Sequence, residues 1–401
     1  MASTYLSRSE SSAGSSTKAT LSAWVKRSKI TSDYPRIFSS YIDNSNHWKV
    51  YFDNTDRLNV YGEAGGSLTC QVITSRKFRD TNAFYNLIVA VDSTQGSSSD
   101  RIKVYVNGVQ ETAFDTATYP SSSANMKFNG GSGNTDVIGK KEGASSDYFD
   151  GILSHVHFID GTQYAASDFG ETDSTTGEWK IKTSPSVTYG TNGFFILKDG
   201  NSVTDSSTNS NNFTVGGGTL TKTEDNPSNV YTVWNANSTV SYKQSGNPIV
   251  FSNGATSLLE NGGEYKNAIS TLGAFTGKYY FETKMISPNN SLAESTYVGV
   301  VTATAQANVG DNYNHVGYTA NSVGYNSYAG QVFTSDSGSN YGASLANGDI
   351  LGVALDITNL KVYLATQFFF EASSFLSNIE TIILMRGFFL KNSLLRSTNP
   401  Q

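Results

Sequence analysis

The chain of 401 residues has a single cysteine, Cys70, and only seven prolines. One thiol cannot form an internal disulfide, which excludes the cross-linked frameworks of small secreted domains and leaves stability to packing. Charged residues make up 15% and the formal charge is -6, so the basic footprint of a nucleic-acid binder is absent. Long apolar runs are missing too: nothing approaches the roughly 18 residues of a membrane span, and the nearest stretch, Thr381 to Leu390, is broken by Arg386. Residues 1–20 are Ser-rich without the apolar segment of a secretory signal. Neither export by the general pathway nor membrane insertion is therefore expected. The sequons at Asn212, Asn237 and Asn289 are read as chance products of an Asn-, Ser- and Thr-rich chain.

Aromatics and glycine are plentiful, with 23 Tyr, 22 Phe and 37 Gly. This is too aromatic for a disordered chain and too rich in Gly for a helical bundle, so an all-β protein is expected. Period-two alternation supports that. Leu21, Ala23 and Val25 oppose Ser22, Trp24 and Lys26, as in a half-buried strand. Leu87, Val89 and Val91 form a second run and Ile102, Val104 and Val106 a third, which leads into Asn107-Gly108, the strongest short hairpin signal. Ile152 to Ile159 is another strand. Later, Phe281 and Met285 alternate with Glu282 and Lys284, and Leu351, Val353, Leu355 and Ile357 share one face. No sustained helical period precedes residue 365, so two antiparallel β-sandwiches are expected.

Between Lys198 and Ser228 the chain turns polar, with an unbroken Ser/Thr/Asn run from Ser206 to Asn212 followed by Gly216, Gly217 and Gly218. This reads as a linker or long loop over about 200–228. The expected division is a domain over 1–199, a polar linker over 200–235, a second domain over 236–364 and an atypical tail over 365–401. The tail has six Phe, one Gly and no Asp, Tyr or Val. Lys103-Val-Tyr-Val turns through Asn-Gly, whereas Lys361-Val-Tyr-Leu runs into Phe368-Phe-Phe. A shifted reading frame near 364, leaving the second sandwich incomplete, is the expectation, with a natural divergent end of the domain the alternative.

Catalytic motifs are sparse. No Gly-x-Ser-x-Gly elbow occurs. Gly273-Ala-Phe-Thr-Gly277-Lys278 is one residue short of a phosphate loop and places Tyr279 where the metal-binding hydroxyl belongs. Glu171, Asp173 and Glu178 are the nearest carboxylate cluster, in what reads as a solvated turn. His155 and His157 share a strand face and offer a metal-chelating spacing, but no third ligand is identifiable, so a solvent-facing or hydrogen-bonded pair is the better reading. Asp43, Asp53, Asp56 and Asp92 are oxygen donors of the calcium type outside any spaced loop. No cofactor is expected, with calcium left open, and no catalytic residue is assigned. Tyr313, His315, Tyr318, Tyr325 and Tyr328, interspersed with Asn, are the candidate ligand-binding residues, since such mixtures stack on sugar rings or anchor protein contacts; packing in the core or on a sheet surface is the alternative.

Thr20-Leu-Ser-Ala-Trp-Val-Lys-Arg, Phe84-Tyr-Asn-Leu-Ile-Val-Ala-Val-Asp, Arg101-Ile-Lys-Val-Tyr-Val-Asn-Gly-Val and Tyr148-Phe-Asp-Gly-Ile-Leu-Ser-His-Val-His-Phe-Ile-Asp-Gly together resemble the laminin G-like and pentraxin-like group of concanavalin A-like domains, over about residues 1–200. Gly277-Lys-Tyr-Tyr-Phe-Glu-Thr-Lys-Met, Tyr297-Val-Gly-Val-Val, Val316-Gly-Tyr and Gly348-Asp-Ile-Leu-Gly-Val-Ala-Leu-Asp-Ile resemble the SPRY family, over about 236–364. The resemblance implies a concanavalin A-like jelly roll followed by a SPRY sandwich. That order, opening with Tyr5-Leu-Ser-Arg, also resembles virion-associated proteins of marine bacteriophages. It implies a non-enzymatic protein in the virion that recognises a host glycan or another virion protein through its loops. A sandwich-fold glycan hydrolase and a purely structural virion subunit are the alternatives.

Overall fold

The computed structural model describes residues 3–174, 177–223, 225–228, 230–237, 249–259, 267–286, 296–303 and 315–366 in full, and 369–373 and 382–385 as backbone. The chain is all-β and divides into two compact units, Met1–Ser228 and Asn229–Gln401.

In the first unit an eight-stranded antiparallel sheet runs in the order Phe114–Thr118, Ser67–Lys77, Arg57–Ala64, Asn46–Phe52, Arg36–Asp43, Thr135–Ile138, Tyr5–Ser9 and Thr214–Gly217. A six-stranded sheet orders Phe194–Ile196, Gly151–Asp160, Lys18–Arg27, Tyr85–Asp92, Ile102–Val106 and Val109–Gln110. The alternation seen in the sequence places the core: Leu21, Ala23 and Val25 point inward with Leu87, Val89 and Val91, and meet Trp48, Val50, Phe52, Leu58 and Val60 of the other sheet. The Asn107-Gly108 hairpin forms as expected, with φ of 48° and 81° at its two turn residues. A Cβ on Gly108 would sit 2.4 Å from the Trp179 ring, so the turn also needs glycine for space.

Two expectations for this unit are corrected. The strand Lys18–Arg27 is not half-buried, because the outer face of the six-stranded sheet is covered in turn: Trp24, Phe84 and Ile152 pack with Trp179 and Ile181, and Ile88 and Ile159 pack with Phe169, Tyr164 and Tyr189. The segment 200–228, expected as a linker, is built into the sandwich. Phe213 is 3% exposed and packs in the main core, and Thr214–Gly217 pairs with the first strand. Asp225 is fully buried against the Lys26 ammonium at 2.7 Å. Phe213 and Asp225, with the strand pairing and the side-chain hydrogen bonds of Asp205, Asn209 and Asn211, hold a polar chain segment that hydropathy alone leaves unanchored.

The second unit pairs a six-stranded sheet, in the order Ile269–Ala274, Ile382–Met385, Tyr297–Thr302, Ser322–Asn326, Gln331–Thr334 and Ser337–Asn340, with a four-stranded one, in the order Lys278–Lys284, Ile350–Asp356, Lys361–Thr366 and Phe369–Ser373. Phe281, Met285, Leu351, Val353, Leu355 and Ile357 meet in its core as their alternation implies. The expected incompleteness is not seen in the backbone. The atypical tail supplies Phe369–Ser373, which pairs with Lys361–Thr366, and Ile382–Met385, which lies between Ile269–Ala274 and Tyr297–Thr302.

Candidate functional site

Of the five residues singled out in the second unit, Tyr313 lies outside the described residues. The His315 ring stacks on Tyr297, with centroids 3.8 Å apart and planes 11° from parallel. Its Nε2 lies 3.5 Å from an Asp336 carboxylate oxygen. Tyr318 is edge-on to His315 at 6.1 Å and is 40% exposed. Tyr328 is exposed on the turn whose N–H groups Asn326 Oδ1 accepts, without a described contact to that pair. Tyr325 is a correction: its side chain is fully buried in the core, its hydroxyl donates to the Ala343 carbonyl, and burial pushes that hydroxyl up to about 12. It lies on the core-facing side of a strand, where no ligand stacks.

The histidine pair is likewise reshaped. A bulge between Ser154 and His157 puts His155 at φ 48° and sends its N–H to Leu197 O at 3.0 Å. His157 is 2% exposed, stacks on Phe195 at 3.9 Å, and its Nδ1 lies 2.9 Å from Tyr189 Oη. The pair is buried in the layer over the six-stranded sheet, and of the two expected readings it is the hydrogen-bonded one, with His155 Nδ1 2.8 Å from Ser154 Oγ. Burial lowers both, His155 to about 4 and His157 well below the ordinary 6.5, so both rings are neutral at pH 7. No group of three or more His, Cys, Asp or Glu poised for a metal occurs among the described residues. Asp53 is held by Thr55 and Arg57, Asp43 by Ser45 and Asn46, Asp92 by Thr94, Gln95 and the distant Lys18, and Asp56 by Arg27 and Arg79 of other strands and loops. Asp173 pairs with Lys180 across an exposed hairpin that also carries Glu171 and Glu178.

A different constellation occupies the outer face of the eight-stranded sheet. Alternation in Asn46–Phe52 sends Trp48, Val50 and Phe52 inward and His47, Lys49 and Tyr51 outward; in Arg57–Ala64 it sends Leu58 and Val60 inward and Asn59, Tyr61 and Glu63 outward. Register pairs His47 with Glu63, Lys49 with Tyr61 and Tyr51 with Asn59, and the next strand adds Tyr41 beside His47 and Ser39 beside Lys49. The His47 and Tyr61 rings stack at 5.8 Å and 16°. Lys49 Nζ sits 4.7 Å above the Tyr61 ring, and the Arg36 guanidinium 4.2 Å above Tyr51. The loop after Ile138 forms a roof: Asp147 O accepts the Arg36 N–H at 3.1 Å, and Glu142 reaches Arg36 at 4.0 Å and Lys49 at 3.9 Å.

These ion pairs, like His47 to Glu63 at 3.9 Å, are longer than hydrogen bonds. Around them both His47 ring nitrogens, Ser39 Oγ, Asn59 Oδ1, Glu142 Oε2 and Arg36 Nε are buried without a partner. Gaps of that width between unsatisfied groups are the places where a bridging water or ligand oxygen fits. Desolvation, and secondarily Lys49, lowers His47, and desolvation lowers Lys49; burial pushes Tyr51 and Tyr61 up to about 12. The face therefore sets aromatic rings and unpartnered donors and acceptors side by side, most of them buried beneath the roof loop. Sequence reasoning missed it, although the signal was present as two consecutive strands whose polar positions are His, Lys, Tyr and Asn, Tyr, Glu.

Residues 2–167 match the family model described as the Concanavalin A-like lectin/glucanases superfamily, and residues 278–365 match the SPRY domain model. No curated protein matches the chain. Among solved structures, a SAP-like pentraxin from Limulus polyphemus is 16% identical, over 40% of this chain and 71% of that one, with a TM-score of 0.30. The SPRY domain of human HERC1 is 18% identical, over 31% and 76%, with a TM-score of 0.25. Domains LG4-5 of the mouse laminin alpha1 chain are 10% identical, over 98% and 84%, with a TM-score of 0.32. By the two family models, residues 2–167 are similar to laminin G-like domains of the concanavalin A-like type and residues 278–365 to SPRY domains.

Proposed function

We propose that the chain is a non-enzymatic binding protein of a bacteriophage particle, and that the roofed outer face of its first sandwich takes a host-surface glycan. The observation that carries this reading is the coincidence, on one sheet face, of Tyr51 and Tyr61 with the unpartnered polar atoms of Ser39, His47, Asn59 and Glu142. Aromatic planes stack on the C–H faces of sugars, and unpaired donors and acceptors receive the hydroxyls. Glu63 and Glu142 each lie within 4.0 Å of a basic side chain. That arrangement holds a ligand; it is not the free carboxylate pair flanking a glycosidic bond that hydrolysis needs. The virion role rests on the order of the two modules and the opening Tyr5-Leu-Ser-Arg, and another virion protein is the alternative partner.

A glycan array of the full chain, with Tyr61→Ala and Tyr318→Ala beside it, tests the site. The expected result is about a tenfold loss of binding, ~1.4 kcal/mol, in Tyr61→Ala alone. Loss in Tyr318→Ala with retention in Tyr61→Ala would move the site to the second unit. Immunogold labelling of particles from a lysate encoding the chain tests the virion role: unlabelled particles overturn it.

A further inference from the structure

The inner face of the eight-stranded sheet is apolar over most of its area and becomes polar at one edge. Arg8 lies across from Asp136 in strand register, and its Nη2 donates to Asp136 Oδ2 and, at 3.0 Å, to Asn192 O. The chain leaves this strand through Glu10, whose N–H donates to Asn134 O at 3.0 Å. Three buried carboxyls meet here and are served unequally. Asp160, from the six-stranded sheet, accepts from Ser15 N at 2.7 Å, Asn129 Nδ2 at 3.0 Å and Asn192 N at 3.0 Å. Asp136 holds the Arg8 guanidinium. Glu10 fares worst: Oε2 accepts from Gly131 N at 2.8 Å and from Asn192 Nδ2 at 3.5 Å, and Oε1 has no donor.

Glu10 is 4% exposed and Asp136 0%, so bulk solvent does not supply the missing donor. The other unpartnered atoms of the cluster are mostly acceptors too: Asn129 Oδ1, Asn134 Oδ1 and Asp136 Oδ1, against one donor, Arg8 Nε. The charged groups packed about Glu10 are Arg8 on the preceding strand, Asp136 on Thr135–Ile138 and Asp160 at the end of Gly151–Asp160, while the loops contribute the neutral Gly131 and Asn192. The one cation is spent on Asp136. A sealed carboxylate beside a second one, with no cation of its own, takes up a proton instead of holding its charge. Desolvation first and Asp136 second accordingly raise the Glu10 carboxyl to about 7. Burial raises Asp136 as well, but its bond to Arg8 leaves the proton on Glu10.

We propose that a single proton on the Glu10 carboxyl fastens the first strand of the sandwich, and that its loss in neutral to alkaline solution multiplies the population in which Tyr5–Ser9 opens from Thr135–Ile138. The proton turns Oε1 from an unpaired acceptor into a donor among acceptors. Opening is local because the strand is lightly held: Leu6 is its one side chain in the main core, and only the short strand Thr214–Gly217 flanks it on the other side. The open state hydrates Glu10, Arg8 and Asp136 together, so no charge is left buried without its partner. It also bares the Thr135–Ile138 margin, where a further strand can pair.

The test is hydrogen exchange of the full chain between pH 5 and 8, read by mass spectrometry on residues 3–12 and corrected for the intrinsic pH dependence of exchange. The opening constant should rise roughly 50–100-fold over that range, as set by a carboxyl near 7 in the closed strand and near 4.5 in the open one. The central strand Asn46–Phe52 should not follow it. Glu10→Gln, which keeps the shape and carries no charge, should stay at the low opening constant throughout. A flat profile in the unmodified chain overturns the proposal, as does a rise that survives in Glu10→Gln. Should that variant fail to fold, NMR titration of the unmodified chain labelled at its Glu carboxyls decides instead. A Glu carboxyl titrating near 7 is expected, and none above about 5.5 overturns the buried proton.

Discussion

Phe213 meets Phe194 edge to face, with ring centroids 4.7 Å apart and planes 69° apart, and so extends an aromatic stack that runs through Phe158 to Phe38. A residue from the most polar stretch of the chain thereby becomes part of the main core. Phe213→Ala should destabilise the first unit by about 3–5 kcal/mol in urea unfolding. Limited proteolysis of the unmodified chain should leave 206–218 uncut until the unit unfolds. Early cleavage there, or a cost below about 1 kcal/mol, would show that the stack is not formed.

The buried pair of Lys26 and Asp225, with side chains 1% and 0% exposed, ties the end of the first unit to its central strand. Removing the Asp225 charge takes one ionic partner from a buried ammonium. Asp225→Asn should therefore cost about 3–5 kcal/mol, while the double change Lys26→Met with Asp225→Leu should recover most of it. Equal losses in the single and double variants would contradict a desolvated ion pair.

His157 supplies a pH dependence of definite sign. Its folded value lies well below the ordinary 6.5, through burial and then His155, in a surround of Phe169, Phe195 and the Tyr189 hydroxyl. The unfolded chain then binds a proton that the folded ring refuses. The stability this ring contributes is complete above about pH 6.5 and falls by ~1.4 kcal/mol per pH unit below it. His155, lowered to about 4, acts in the same sense down to that value. Glu10, raised from 4.5 to about 7, acts oppositely: its contribution is complete below 4.5 and is lost as pH rises through 7. The difference between His157→Phe and the unmodified chain isolates the histidine. That difference should change by about one proton's worth between pH 6.5 and 5 in urea titrations, and a parallel pair of profiles would refute the assignment.

No hydrolysis is expected. Incubation with host polysaccharides should release no reducing ends above buffer. Release abolished by Glu142→Gln or Glu63→Gln would convert the sheet face into an active site and displace the binding reading.

Much of the fold could be read from local pattern. Leu21, Ala23 and Val25 announce one inner face and Asn107-Gly108 announces its hairpin, because side-chain alternation and positive φ are properties of a few consecutive residues. What escaped depended on distant partners. Trp24 and Ile88 look like solvent-side residues until Trp179 and Phe169 cover them, and His155 leaves its expected face because of a bulge that no periodicity encodes. Tyr325 resembled its exposed neighbours in composition and differs from them only in parity along a strand. The sheet-face site was hidden for the opposite reason: His47, Tyr61 and Glu142 are separated in sequence and become neighbours only through register and a roof loop.

The pairing of Tyr5 with Gly217 closes residues 5–217 into a loop whose two ends meet at one margin of the same sheet. A cut and rejoined chain could start elsewhere within that loop and keep its seam, because the two ends already sit about one interstrand spacing, roughly 5 Å, from each other.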